Sequence, residues 1–202
     1  MNSRRLKFYT IVIGLALAGI ALLAYTQTWI QIHASSPQGG TVNVPASGSV
    51  AAPALSALAF AGLALFGAIT IAGRGFRVVL GALEVILGIC VVASSLVTIT
   101  DPVKAAQSAI TTVTGVDGSE SVRTIVLSHS VTAWPFVALV TGVAMAVLGV
   151  AVIVTSKNWP VGTRRYQAVR IVDPDAPTDP VVAWDTLTTG SDPTAETEDD
   201  NR

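Results

Sequence analysis

Long uncharged apolar runs alternate with short polar stretches along the chain. Four of these runs have about the length of a membrane span, at positions 8–28, 53–72, 76–97 and 132–155. Because an α-helix rises about 1.5 Å per residue, about 20 apolar residues cross a hydrocarbon layer about 30 Å thick. Backbone groups have no water to bind at that depth, so each run should be helical. The pattern predicts an all-α membrane protein with four transmembrane helices.

Local signals agree with these boundaries. Pro53 opens the second run and Pro135 falls in the first turn of the fourth, where a helix does not need the missing N–H. The pair Arg74-Gly75 stands between the second and third runs. We therefore expect a tight turn there, which makes these two helices an antiparallel hairpin.

The basic residues predict the orientation. Nine of them flank the same ends of the four runs: Arg4, Arg5, Lys7, Arg74, Arg77, Lys157, Arg164, Arg165 and Arg170. The loops on the opposite side hold Lys104 and Arg123 alone. Cytoplasmic loops carry the excess of Lys and Arg in membrane proteins. We expect a multi-pass protein of the bacterial plasma membrane with both termini in the cytoplasm.

The N-terminus allows one alternative. A basic start before an apolar run is also the pattern of a cleaved secretion signal, and Ser3-Arg4-Arg5 resembles part of a twin-arginine signal. However, the apolar run is longer than the core of such signals, and no A-x-A cleavage site follows it. We favour an uncleaved first helix.

Composition agrees with a membrane protein and narrows the possible functions. Charged residues make up 12% of the chain, against about 25% in soluble domains. No basic field for nucleic acid is present. The single Cys90 excludes a disulfide within the chain, and we expect it to pack as a small apolar residue. His33 and His129 lack a third ligand, so no metal or other cofactor is expected. No catalytic motif is present.

The loops and the C-terminal segment differ from the four runs. The two long loops, 30–52 and 98–131, lack the apolar content to fold alone, although 102–112 could form a short surface helix. We divide the chain into a four-helix transmembrane domain, 1–170, and an acidic tail, 171–202.

The tail combines several prolines with nine acidic residues from position 173 onward, a composition typical of disorder. Trp184 lies there in an apolar island, 181–187. Such an island can dock on a partner, but composition alone favours an incidental cluster.

Glu84 is the most informative single residue, because a carboxyl inside the membrane is costly. Helical spacing places it on one stripe with Gly81, Gly88 and Ser95, so we expect this stripe to face the bundle. Two interpretations remain open. Glu84 is either a proton- or solute-coupled site, or a neutral glutamic acid that donates a hydrogen bond across the helix interface.

A second candidate segment follows the fourth run. Arg164, Arg165 and Tyr166 could contact anionic lipid headgroups or a cytosolic partner. Their simpler role is to anchor the end of the last helix at the membrane surface, and we favour that interpretation.

Several of these segments together resemble a known family. They are Trp29, Pro53-Ala54-Leu55, Arg77-Val78-Val79-Leu80-Gly81, Trp134 and Trp159-Pro160-Val161-Gly162-Thr163-Arg164-Arg165-Tyr166. Their order resembles the actinobacterial tryptophan-biosynthesis-associated membrane protein family, over roughly residues 5–168 and without the tail. The resemblance implies a plasma-membrane protein connected with tryptophan synthesis. It implies no reaction and no catalytic residues.

Two functional hypotheses follow. The first is a non-enzymatic accessory protein of tryptophan biosynthesis that binds a membrane or cytosolic protein partner. The second is a small transporter or exporter of aromatic compounds that uses Glu84 and forms a homo-oligomer around its pathway. An enzyme ranks last, and the lipid bilayer is a partner under either hypothesis.

Overall fold

The computed structural model describes residues 3–36, 39–156 and 159. Its elements follow one another as α1 (Ser3–Thr26), β1 (Thr28–Ser35), β2 (Thr41–Ser47), α2 (Gly48–Ala51), α3 (Ala54–Ile71), α4 (Arg74–Thr100), α5 (Pro102–Ala105), α6 (Gln107–Thr114), α7 (Ser119–Ile125), β3 (Val126–Val131) and α8 (Trp134–Thr155).

Four helices are long and apolar enough to span a membrane, as predicted: α1, α3, α4 and α8. Between 28% and 33% of the residues in each span are buried, so most of each helix presents apolar side chains outward. The helices form a ring in which α1 packs on α3 and α8, and α4 packs on α8 and α3. Apolar side chains face the lipid on all sides of this ring.

A tight turn connects α3 and α4, as predicted, but its residues are not the predicted pair. The turn consists of Ala72 and Gly73, whereas Arg74 and Gly75, which we expected in the turn, form the start of α4. Because successive helices run in opposite directions, this turn lies at the same end of the bundle as the start of α1 and the end of α8. We call this the hairpin end.

The opposite end carries a small antiparallel sheet that the sequence did not lead us to expect. The strand order is β2-β1-β3, with Ile32 opposite Val44 on one side and opposite His129 on the other. β3 belongs to the second loop and β1 to the first. The two loops, each too poor in apolar residues to fold alone, therefore fold together.

Three short helices cover one face of this sheet. Ile32 and Val44 of the sheet belong to one buried core with Ala106, Ile110 and Val122 of the helical segment. The surface helix expected over 102–112 is present as α5 and α6, with a break at Ala106. We call these elements, residues 28–36, 39–52 and 101–131, the sheet cap.

Candidate functional site

The buried face of α4 is made largely of small and polar residues. Seven of its eight buried positions repeat at intervals of four and three, and Leu80 is the eighth. The seven are Arg77, Gly81, Glu84, Gly88, Val91, Ser95 and Thr98. This is the seven-residue spacing of a helix that packs along one seam. The predicted stripe of Gly81, Glu84, Gly88 and Ser95 is confirmed as buried. The least apolar face of the helix is thus the one turned away from lipid.

Glycines bring α4 and α8 into backbone contact along this seam. A Cβ added at Gly88 would lie 2.6 Å from the carbonyl oxygen of Gly142, and one at Gly149 would lie 2.8 Å from that of Gly81. Both distances are shorter than real Cβ contacts, and in both the neighbour is backbone, which cannot rotate away. Small residues at a helix interface allow such an approach. The two glycine contacts lie on either side of Glu84.

Glu84 is fully buried in this seam. Its side chain has 0% exposure, and within the described ranges neither carboxyl oxygen has a hydrogen-bond partner. It lies ten residues after Arg74, about 15 Å along the helix, which is near mid-membrane depth. The hydrogen bond across the interface that the sequence allowed is therefore not formed with any described residue. An ionised carboxylate at this depth would carry a large desolvation cost.

Arg77 and Trp159 close the hairpin end of the bundle. The guanidinium carbon of Arg77 lies 5.5 Å from the centre of the Trp159 ring, within the range of a cation–π interaction. The exposed fractions are 2% for Arg77 and 1% for Trp159. Trp159 packs in a second core cluster with Phe66 and Leu80. The sequence predicted Arg77 as a charge that flanks the third run, whereas the structure buries it.

The burial of Arg77 had a signal in the sequence. Arg77 precedes Glu84 by seven residues, which is two helical turns, so both belong to the same stripe. The stripe therefore continues to the hairpin end. Trp159 gave no such signal, because it lies beyond the last apolar run.

Trp29 has a structural role at the other end. Its indole N–H donates to the carbonyl oxygen of Ala24 at 2.7 Å, and the same carbonyl, in the last turn of α1, also accepts the backbone N–H of Gln27. A Cβ at Gly48 would lie 2.8 Å from the same indole nitrogen. Trp29 thus joins α1 to the start of α2.

Other sequence candidates lie apart from this seam. His33 and His129 are exposed, and the strand register places them on opposite faces of the sheet. Cys90 is exposed on α4 rather than packed in the core. Arg164, Arg165, Tyr166 and Trp184, together with the acidic tail, lie outside the described residues.

Comparison with known proteins adds one finding. A family model described as a tryptophan-associated transmembrane protein matches residues 11–194. The match continues past residue 168 into the tail, which we had excluded from the resemblance. No curated protein and no solved structure matches the chain.

Proposed function

We propose that this chain, which belongs to the family of tryptophan-associated transmembrane proteins, is a non-enzymatic accessory protein of tryptophan biosynthesis. It acts from the plasma membrane of a bacterial cell. The observation that supports this proposal is the family match over residues 11–194, together with a polar seam that is closed by backbone contact. Because this contact leaves no room for a substrate between α4 and α8, the seam is better suited to helix packing than to a reaction.

The distribution of charge supports an orientation for this protein. Arg5, Lys7 and Arg74 belong to the hairpin end, whereas Lys104 and Arg123 belong to the sheet cap. The excess of basic residues at the hairpin end favours a cytoplasmic location for that end. The sheet cap then faces the outside. In the sequence, Arg164, Arg165 and Tyr166 and then the tail with Trp184 follow α8, so a cytoplasmic partner would bind these segments.

A deletion strain tests the accessory role. The strain should grow more slowly without tryptophan, and the wild-type gene should restore its growth. The Glu84→Gln variant should restore it equally well, because an accessory role does not need the carboxyl. A chain truncated after residue 170 should not restore growth if the tail binds the partner. Normal growth of the deletion strain would contradict the proposal.

The second candidate is a transporter of aromatic compounds. Its specific support is Glu84, a carboxyl at mid-membrane depth with no hydrogen-bond partner in the part of the chain that the structure describes. Intramembrane carboxyls of this kind occur in proton-coupled pathways. Glu84 is fully buried in the described part of the chain, so a pathway to it needs a second copy or a rearranged bundle.

Flux into proteoliposomes tests the transporter directly. Labelled tryptophan should accumulate, and Glu84→Gln should abolish that accumulation. Ser95→Ala is the matched control, since Ser95 lies on the same stripe and its hydroxyl donates to Val91 of its own helix at 2.9 Å. Equal flux through the wild-type chain and Glu84→Gln would exclude this use of the carboxyl.

A further inference from the structure

The sheet cap contains an open groove that the functions above do not use. It has a volume of about 670 Å³, within the range typical of small-molecule sites. One wall is α6 and the residues just before it. The other wall is formed by α2 and the end of α4, through Val50, Ala51 and Val97. The groove thus runs along the length of one short helix.

The two ends of the groove carry opposite charges. Lys104 precedes the first residue of α6 and Asp117 follows its last, and both side chains line the groove. Within the described residues the salt bridge of the cap joins Arg123 to Asp101 at 2.6 Å, so neither Lys104 nor Asp117 is paired with an opposite charge there. Asp117 accepts one hydrogen bond, from the backbone N–H of Gly118.

This placement of charge reinforces the dipole of α6. A helix is positive at its N-terminus and negative at its C-terminus, and stabilising charges have the opposite signs. Lys104 adds a positive charge at the positive end, and Asp117 adds a negative charge at the negative end. A ligand with a negative group near Lys104 and a positive group near Asp117 would complement both side chains.

The length of the groove indicates the size of that ligand. The eight residues of α6 span about 12 Å at about 1.5 Å each. An extended peptide of three or four residues covers about 10–14 Å, at about 3.3–3.6 Å per residue. A free amino acid carries its two charges on neighbouring atoms and cannot reach both ends.

We propose that the groove along α6 binds a short unblocked peptide of three or four residues, with its C-terminal carboxylate at Lys104 and its N-terminal ammonium at Asp117. Val50, Ala51 and Val97 contact its small apolar side chains. This inference does not depend on the proposed function, because it concerns binding to the cap alone.

Titration of the purified full chain in detergent with trialanine tests the proposal. Trialanine should bind saturably, and at least about tenfold more tightly than L-alanine. Amidation of the peptide C-terminus and Lys104→Gln should each weaken binding about tenfold, and together they should still weaken it about tenfold, because both remove the same contact. N-acetylation of the peptide and Asp117→Asn should likewise each weaken binding about tenfold. Together they should still weaken it about tenfold, because both remove the contact of the peptide ammonium.

Matched controls show whether a loss of trialanine affinity comes from this groove or from the removal of any surface charge. Glu120→Gln removes an exposed acid of α7 that does not line the groove, and it should leave the affinity unchanged. Glycerophosphoethanolamine, a zwitterionic headgroup without a peptide backbone, should not displace trialanine. Lys104 and Asp117 are exposed, so both variants should fold, and the peptide modifications need no variant at all.

Several results would overturn the proposal. They are the absence of saturable binding, equal affinity for L-alanine and trialanine, and displacement of trialanine by glycerophosphoethanolamine. A further one is a loss of affinity of about a hundredfold when amidation and Lys104→Gln are combined, since independent effects multiply.

Discussion

Glu84 combines complete burial with the absence of any hydrogen-bond partner among the described residues. Leaving such a polar group unsatisfied costs about 1–3 kcal/mol. Gly81 and Gly88, on either side of it, hold α4 in backbone contact with α8 around this side chain. The sequence showed the stripe but could not show whether α8 would supply a partner.

Replacing Glu84 by leucine should therefore stabilise the protein. A leucine of similar size fills the same space without a carboxyl, so the free energy of unfolding should rise by about 1–3 kcal/mol. Glu84→Gln should change it little, because the amide is also unsatisfied. Thermal unfolding in detergent, followed by circular dichroism, measures both variants. A loss of stability on Glu84→Leu, with Glu84→Gln unchanged, would mean that the carboxyl has a partner.

Trp159 should contribute strongly to the hairpin end. Trp159→Leu removes both the contact with Arg77 and a large part of the core cluster, and should lower the free energy of unfolding by about 2–4 kcal/mol. Phe76→Leu is the control, since Phe76 is exposed at the same end of the bundle and should change it by less than about 0.5 kcal/mol. The same unfolding measurement applies, and equal effects from the two variants would contradict the packing of Trp159.

At the scale of elements, the closest pair is α4 and α8. Gly81 and Gly88 of α4 meet Gly149 and Gly142 of α8, and a Cβ added at any of the four would lie within 3.0 Å of the opposite backbone. Association of helices in a membrane depends on such packing, because lipid is as apolar as the side chains. The seam therefore accounts for much of the specificity with which the bundle forms.

Gly88→Ala should disrupt this pair. The added Cβ would lie 2.5 Å from the backbone nitrogen of Ala146, so one helix must move, at a cost of about 1–3 kcal/mol. Gly67→Ala is the matched control in α3, where a Cβ would meet nothing within 4 Å. Resistance to unfolding by detergent should fall for the first variant alone. Equal resistance would show that α4 and α8 are not in backbone contact.

The sequence predicts some elements better than others. The four spans follow from apolar length, and the buried stripe of α4 follows from helical spacing around Glu84. The sheet did not follow, because β1 and β3 lie about a hundred residues apart and neither strand is stable without the other. The alternation of Ile30, Ile32 and Ala34 is a strand signal, yet the paired strand is needed to bury that face.

At the scale of the whole molecule, the two ends of the bundle differ in structure and in charge. The hairpin end is a tight turn sealed by Trp159 and Arg77, whereas the other end carries a folded cap with a groove. Between the two ends, the surface is formed by four apolar helices that are long enough to span a membrane. The proposed function requires these two ends to lie on opposite sides of the membrane, with the cap outside.

Labelling of single cysteines with a membrane-impermeant maleimide tests this arrangement most directly. In a Cys90→Ala background, Ser128→Cys places a thiol on the exposed β3 strand and Gly75→Cys places one in open space at the hairpin end. Ile89→Cys, on the exposed apolar face of α4, is the control and should stay unlabelled. The account predicts that Ser128→Cys is labelled from outside the intact plasma membrane, and Gly75→Cys only after the membrane is broken. Labelling of both from the same side would contradict the four-span architecture, and labelling of Gly75→Cys alone from outside would reverse the orientation.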